Sequence, residues 1–262
     1  MRNLFSVISK KKWIISIPFA VLIVAGTFFY FYSYRNSSVK PFIDNKKELR
    51  VGIVTDIHAG SDADSHKELA NADAIVHPRE YKDNLKPLID WKPDLIITLG
   101  DNVNDNDKCH PYADDLKLLF SKFNVLWAKG NHDKDCFPVF NSQNYYYHDY
   151  NNAGWRIIML DHRIDTDLDE QNWLKETLKT DKKVLIVTHV PFFSPSRDEN
   201  TVVPGYEEAE RIISGSGNVK YVFSGHLHSR LWDKVYNGVH YYILPSVVGD
   251  SYPKYFMKLT LN

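Results

Sequence analysis

Five short polar clusters in this 262-residue chain combine side chains that bind cations, and each closes a run of apolar residues. In order they are VGIVT followed by Asp56-Ile57-His58, LIITL by Gly100-Asp101, VLWAK by Gly130-Asn131-His132-Asp133, VLIVT by His189, and YVFS by Gly225-His226-Leu227-His228. Carboxylate, carboxamide and imidazole supply oxygen and nitrogen donors. With no thiol among them they suit Mn, Fe, Co or Zn, and the donor types alone do not choose between these. Asp56-x-His58 and His226-x-His228 read as i, i+2 pairs on extended backbone, whose side chains point the same way and can share a cation. Gly100, Gly130 and Gly225 precede the donors, where a residue without Cβ lets the chain turn and approach closely. Taken singly, each cluster also reads as a surface turn or as an ordinary hydrogen-bonded histidine. Five in order, each ending an apolar run, argue for one shared site, because ligands of α/β sheets bind beyond the carboxyl ends of the strands.

The elements that must position these residues follow from periodicity. Continuous β-branched apolar runs at 49–55, 95–99, 125–128, 156–160, 184–188, 221–223, 239–244 and 255–261 have the character of strands buried on both faces. Amphipathic stretches at 81–90, 113–121, 169–179 and 207–214 read as helices, and Asn237-Gly238 between two strand-like pieces reads as a hairpin turn. Tyr145-Tyr146-Tyr147 reads as an aromatic strand packed on the sheet, with pocket lining as the alternative. The pattern is α/β at first and richer in strands later. The expected fold class is α/β: a layered β-sandwich with mixed sheets flanked by helices.

Composition bounds the rest. A content of 44% hydrophobic and 14% aromatic residues excludes a disordered chain, and a mean hydropathy of −0.38 excludes a polytopic membrane protein. The net charge of −1 conceals an asymmetry: residues 1–50 hold nine Lys/Arg against Asp44 and Glu48, whereas residues 51–262 hold 23 basic and 31 acidic side chains. The basic N-terminus suits an anionic membrane surface, and the acidic body disfavours nucleic acid as a partner. Residues 13–32 contain no charge and, at about 1.5 Å per residue, would span roughly 30 Å as a helix. The expected organisation is a basic tail at 1–12, a transmembrane signal anchor at 13–32, a polar stalk at 33–47 and one domain at 48–262. A cleaved signal peptide ending near Val24-Ala25-Gly26 is the alternative. Lys10-Lys11-Lys12 before the span favour a single-pass cell-membrane protein with its domain extracytoplasmic, while Arg35, Lys40, Lys46 and Lys47 weaken the bias. Cys109 and Cys136 either pair, which implies an oxidising compartment, or remain two thiols.

The ordered set of Asp-x-His, Gly-Asp, Gly-Asn-His-Asp, His and Gly-His-x-His, with Leu160-Asp161 at a strand end and Trp173-Leu174 on the next helix, resembles the calcineurin-like metallophosphoesterase superfamily over residues 49–262. The resemblance implies two divalent or trivalent metal ions (Mn, Fe, Zn or Co). Asp56, His58 and His228 would hold the first, Asn131, His189 and His226 the second, and Asp101 would bridge them. It further implies hydrolysis of a phosphate ester by a hydroxide held between the metals, with His132 as the catalytic residue assisting the leaving group. The complete Gly-His-x-His pair resembles diesterase branches, which favours phosphodiesters over phosphomonoesters, on a small molecule or a lipid head group. The protein-phosphatase branch carries an Asp three residues after the bridging Asp; here Asn104 stands there, followed by Asp105. Asp133 is a candidate to polarise a ligand or fix its loop, and His162 and Arg163 are candidates to touch substrate. His66, His77, His110, His148 and His240 read as surface or packing residues, and 61–75 could cover the site by its location. Two other functions stand beside this one: a catalytically silent scaffold of the same fold, opposed by retention of all seven ligands, and a nuclease, opposed by the acidic body.

Overall fold

Alternating side chains on the inner strands are buried on both faces, so each sheet must be covered twice. In the computed structural model, which describes residues 46–60, 80–104, 109–195, 201–228, 231–248 and 256–262, two sheets satisfy this requirement. The first contains β1 (Leu49–Val54), β2 (Leu95–Thr98), β3 (Asn124–Trp127) and β10 (Met257–Leu261) in the order β10-β1-β2-β3. The second contains β4 (Tyr146–Tyr150), β5 (Trp155–Met159), β6 (Lys183–Val187), β7 (Val219–Ser224), β8 (Trp232–Tyr236) and β9 (Val239–Ile243) in the order β4-β5-β6-β7-β9-β8. Both sheets are mixed. Their inner strands pair parallel, while β10, β4 and β8 pair antiparallel at the edges.

Helices α1 (Glu80–Trp91) and α2 (Cys109–Leu119) cover the first sheet, with Leu85, Leu88, Ala113 and Leu116 packed on Val54 and Ile96. Helices α3 (Leu168–Thr177) and α4 (Glu207–Gly215) cover the second, with Leu174, Ala209 and Ile213 packed among Ile158, Ile186 and Val222. The residues that alternate with these, such as Ile97, Ile157, Met159, Leu185 and Val187, are fully buried on the opposite faces, which stack on one another. Tyr146 joins the layers at one edge: its hydroxyl accepts from Trp127 N–H (3.0 Å) and donates to Trp127 C=O (3.2 Å), satisfying the outer backbone of β3. At the β8–β9 hairpin, Asn237 and Gly238 both have positive φ, the geometry that an Asn-Gly type I′ turn requires.

The chain divides into two units, Met1–Phe42 and Ile43–Asn262. The first, with the expected span at 13–32, lies outside the described residues, as do the 61–75 segment, His66, His77 and Asp105. Among the described residues no helix is long and apolar enough to cross a membrane. Cys109, which opens α2, is joined to Cys136 by a disulfide with Cα atoms 6.1 Å apart. It ties α2 to a 3₁₀ helix, Lys134–Phe140, that follows the Asn131-His132-Asp133 segment and was not expected from sequence.

Candidate metal centre

The loops that follow β1 and β2 run hydrogen-bonded to each other. Asp56 N–H donates to Gly100 C=O (3.1 Å), His58 N–H to Asp101 C=O (2.9 Å) and Ala59 N–H to Asn102 C=O (3.1 Å). Strand β1 nevertheless stops at Val54 and β7 at Ser224. Asp56 (φ 52°), His58 (45°), Asp101 (51°), His226 (70°) and His228 (48°) all lie in the left-handed region that non-glycine residues avoid. This corrects the expectation of extended i, i+2 pairs. The donors of Asp56-x-His58 and His226-x-His228 converge because the backbone coils under the pull of its neighbouring loop, not because a pleat points them the same way.

Ties from the second sheet, with one from the neighbouring Thr55, close the site. His226 N–H (3.0 Å) and the Thr55 hydroxyl (2.6 Å) donate to Asp56 Oδ2, and the Ser246 hydroxyl donates to Asp56 C=O (2.8 Å). Two glycines make the approach possible: a Cβ on Gly130 would collide with the Asp101 carboxylate, and one on Gly225 with the Thr55 hydroxyl and the Asp56 carboxylate. Asp133 staples the loops after β2 and β3, accepting from Asn102 N–H and Gly130 N–H (both 2.8 Å), Val103 N–H (3.0 Å) and Asn102 Nδ2 (3.0 Å).

Two donor groups result. Atoms of Asp56, His58, Asp101 and His228 lie within 4.8 Å of one another, as do atoms of Asp101, His189 and His226. Asp101 belongs to both groups, with Oδ2 3.6 Å from His58 Nε2 and 3.1 Å from His189 Nε2. Asn131 joins the second, its Oδ1 3.1 Å from His189 Nε2. His132 stands beside the groups: its ring meets that of His58 edge-on at 5.0 Å, and its N–H donates to Asp101 Oδ1 (2.8 Å).

The electrostatics fit cations. Asp56 Oδ1 is buried and has no hydrogen-bond partner among the described residues; the His228 and His58 imidazoles stand 3.2 Å and 3.9 Å from it. Imidazole nitrogens face each other at 3.0 Å (His58 and His228) and 3.3 Å (His189 and His226). The Leu99 carbonyl 3.0 Å from His189 Nδ1 can only accept, so Nδ1 carries a proton and Nε2 is the nitrogen turned toward the donors. Burial opposes charge on His189, yet the hydrogen bond and charge of Asp101 lift it to about 9; burial and the neighbouring histidines push His58 down to about 4. Asp101 falls to about 2 despite burial, held there by His189, and Asp133 rises to about 7 through burial and the Asp101 charge. An orphaned carboxylate oxygen amid inward-facing nitrogens is the arrangement that divalent cations satisfy.

The profile of the calcineurin-like phosphoesterase family matches residues 49–230. The chain belongs to this family. As a calcineurin-like phosphoesterase it is a metal-dependent phosphoric ester hydrolase. It is 28% identical over 207 residues to a Fibrobacter succinogenes protein named "Probable cyclic nucleotide phosphodiesterase", covering 71% of this chain and 75% of that one. It is 27% identical over 147 residues to purple acid phosphatase 22 of Arabidopsis thaliana, covering 45% of this chain and 34% of that one. Its fold is similar to that of a dimetal phosphatase from Danio rerio, with a TM-score of 0.61 and 15% identity over 77% of this chain and 88% of the other. A second similar fold is that of GAP50, the anchor in the inner membrane complex of Plasmodium, with a TM-score of 0.51 and 15% identity over 80% of this chain and 78% of the other.

The phosphoesterase thus brings Asp56, His58, Asp101, Asn131, His189, His226 and His228 to one rim, with His132 and Asp133 against them. Asn104 is buried and donates its N–H to Ala59 C=O (3.1 Å). His162 and Arg163 gather instead around the buried Asp161, at 2.7 Å and 3.9 Å, where Lys129 also approaches to 3.9 Å. Although burial raises Asp161, His162 and Lys129 hold it below the usual carboxylate range. Sequence reasoning missed Thr55, Asn102, Lys129 and Ser246. The first three adjoin motif residues, which was their signal; Ser246 comes from the loop after β9, which carries none.

Proposed function

We propose that Asp56, His58 and His228 hold one metal ion, that Asn131, His189 and His226 hold a second, and that Asp101 is shared between them in hydrolysis of a phosphodiester. The single observation that carries this reading is the membership of Asp101 in both donor groups. Ions bound there would polarise the phosphoryl oxygens and offset charge developing at phosphorus. The chain's own residues do the rest. The Asp101 and Asp56 carboxylates, fixed by the His132 and His226 amides, set the spacing of the donors. His132 gives a proton to the oxygen that leaves phosphorus, and the proton shed by the water that adds in its place restores His132 by way of solvent. Gly130, Asp133 and Asn102 keep the His132 loop against Asp101.

The diester preference is supported by the complete Gly-His-x-His pair and by similarity to a protein named as a cyclic nucleotide phosphodiesterase. We further read residues 13–32 as a single membrane span with the domain on the extracytoplasmic side, supported by the uncharged stretch and by the Cys109–Cys136 disulfide. The test uses the full chain in detergent with Mn²⁺, comparing bis(p-nitrophenyl) phosphate with p-nitrophenyl phosphate. A higher kcat/KM for the diester is expected. A clear preference for the monoester would overturn the diester reading, and turnover that survives chelation would overturn the metal assignment.

A further inference from the structure

The metal centre occupies the carboxyl end of the parallel strands, and the opposite end carries charge of the other sign. Among the described residues, the segments that lead into β1, β2, β3, β5, β6, β7 and β9 (46–50, 91–94, 120–124, 151–155, 178–183, 215–220 and 236–239) hold nine Lys/Arg and three Asp/Glu. The segments at the metal end (55–60, 99–104, 128–133, 160–167, 188–195, 201–206, 225–228 and 244–248) hold two Lys/Arg and six Asp/Glu. Of the three acids in these segments, Asp94 is engaged by Lys46 and by the Arg50 amide; beside them Glu176 pairs with Lys179, Asp149 with Lys182, and the Asn262 carbonyl accepts from Lys183. Lys47, Lys92, Lys122, Lys179 and Lys183 are exposed there. They come from separate connections, so the face is assembled by the fold and is not a run in the sequence.

The polypeptide enters the domain at this same end, since Leu49 opens β1. The uncharged stretch ends at Tyr32, and the residues between it and Lys46 reach no more than about 45 Å even at full extension. A cationic face held within that distance of a bilayer meets lipid phosphates at high effective concentration, and the attraction acts only within a Debye length of about 8–10 Å, so it is realised by contact. We propose that the end of the domain opposite the metal centre docks on the anionic surface of the membrane that anchors the chain. The inference rests on the membrane span proposed above. It has a consequence for substrate: strands of four to six residues at about 3.3 Å each set the metal centre on the far side, facing water. The phosphoester it takes is then a soluble molecule, not a head group of the lipids beneath it.

The experiment incorporates the full chain into vesicles of phosphatidylcholine alone or of phosphatidylcholine with phosphatidylglycerol. Flotation is measured, and lysines are labelled with a membrane-impermeant acylating reagent read by mass spectrometry. Flotation with phosphatidylcholine is expected from the span alone; its absence would overturn both the anchoring and the docking. In the anionic vesicles, labelling of Lys92, Lys122 and Lys179 should fall roughly threefold or more, recover in high salt, and leave Lys134 unchanged. Flotation without that protection overturns the docking alone. In K92E/K122E the protection of the remaining reporter, Lys179, should be lost while wild-type activity on bis(p-nitrophenyl) phosphate in detergent is kept. Protection of the same lysines by duplex DNA or RNA, and not by anionic lipid, would assign the face to nucleic acid and also overturn the proposal.

Discussion

The Asp101 carboxylate turns Oδ2 toward histidines of both donor groups and gives Oδ1 to the His132 amide, so one side chain joins both groups to the residue proposed to assist the leaving group. Asp101→Asn is expected to lower bound Mn²⁺ below one equivalent by elemental analysis and to cut kcat/KM roughly a hundredfold or more, whereas His240→Ala, outside the site, changes neither. Equal losses in the two variants would refute the shared role. Gly130→Ala should resemble Asp101→Asn, because its added methyl takes the space of the Asp101 carboxylate. His132 acts differently, lying beside the donors without belonging to either group. His132→Ala should keep the metal content and slow esters with poor leaving groups far more than p-nitrophenyl esters. Loss of metal in that variant would make His132 a ligand.

Two elements hold the catalytic loops from outside. The Cys109–Cys136 bridge, with a sequence separation of 27, fastens α2 to the 3₁₀ helix behind His132. Replacing both cysteines by serine should lower the unfolding free energy by about 3 kcal/mol, measured by urea denaturation. An unchanged midpoint would mean that packing between the two helices suffices. At the start of α3, Glu170 is buried; Oε1 accepts from Asp161 N–H, and Oε2 has no hydrogen-bond partner among the described residues. Burial, aided by the Asp161 and Asp167 charges and opposed by the Asp161 amide and Arg163, pushes Glu170 from 4.5 up to about 8. The folded chain therefore keeps a proton that the unfolded chain releases near pH 4.5. The contribution of this group to stability is complete below that pH, falls as pH rises to about 8, and is level above it. Glu170→Gln preserves the bond to Asp161 and removes the titration. Its melting temperature should exceed that of the parent at pH 8.5 and converge with it near pH 4.5; a deficit of equal size at every pH would show that the side chain acts through packing.

For the molecule as a whole, ion binding and folding are linked, because the donors come from both sheets and gather only in the folded chain. Added Mn²⁺ should raise the melting temperature in a concentration-dependent way, the unfolding free energy gaining about 2.7 kcal/mol per site at a hundred times Kd, and Asp101→Asn should abolish the rise. Much of this organisation was legible in the sequence where an apolar run stops at glycine and a cation-binding residue, as at Gly100-Asp101 and Gly225-His226, because burial and the need for close approach leave few other residue types. Asn237-Gly238 was legible for the same reason, a turn that few dipeptides can make. The coiled backbone at Asp56, His58, Asp101, His226 and His228 was not, since the mild preference of aspartate and histidine for positive φ singles out no position and hydrogen bonds from distant loops impose it. Nor was the basic end, whose lysines lie far apart until the strands align. Each of those five residues sits in a conformation that costs on the order of 1 kcal/mol for anything but glycine. Variants screened for heat resistance without added metal would therefore drift toward glycine at the very positions proposed to grip the ions, and on that proposal the hardiest descendants of such a screen would be inert.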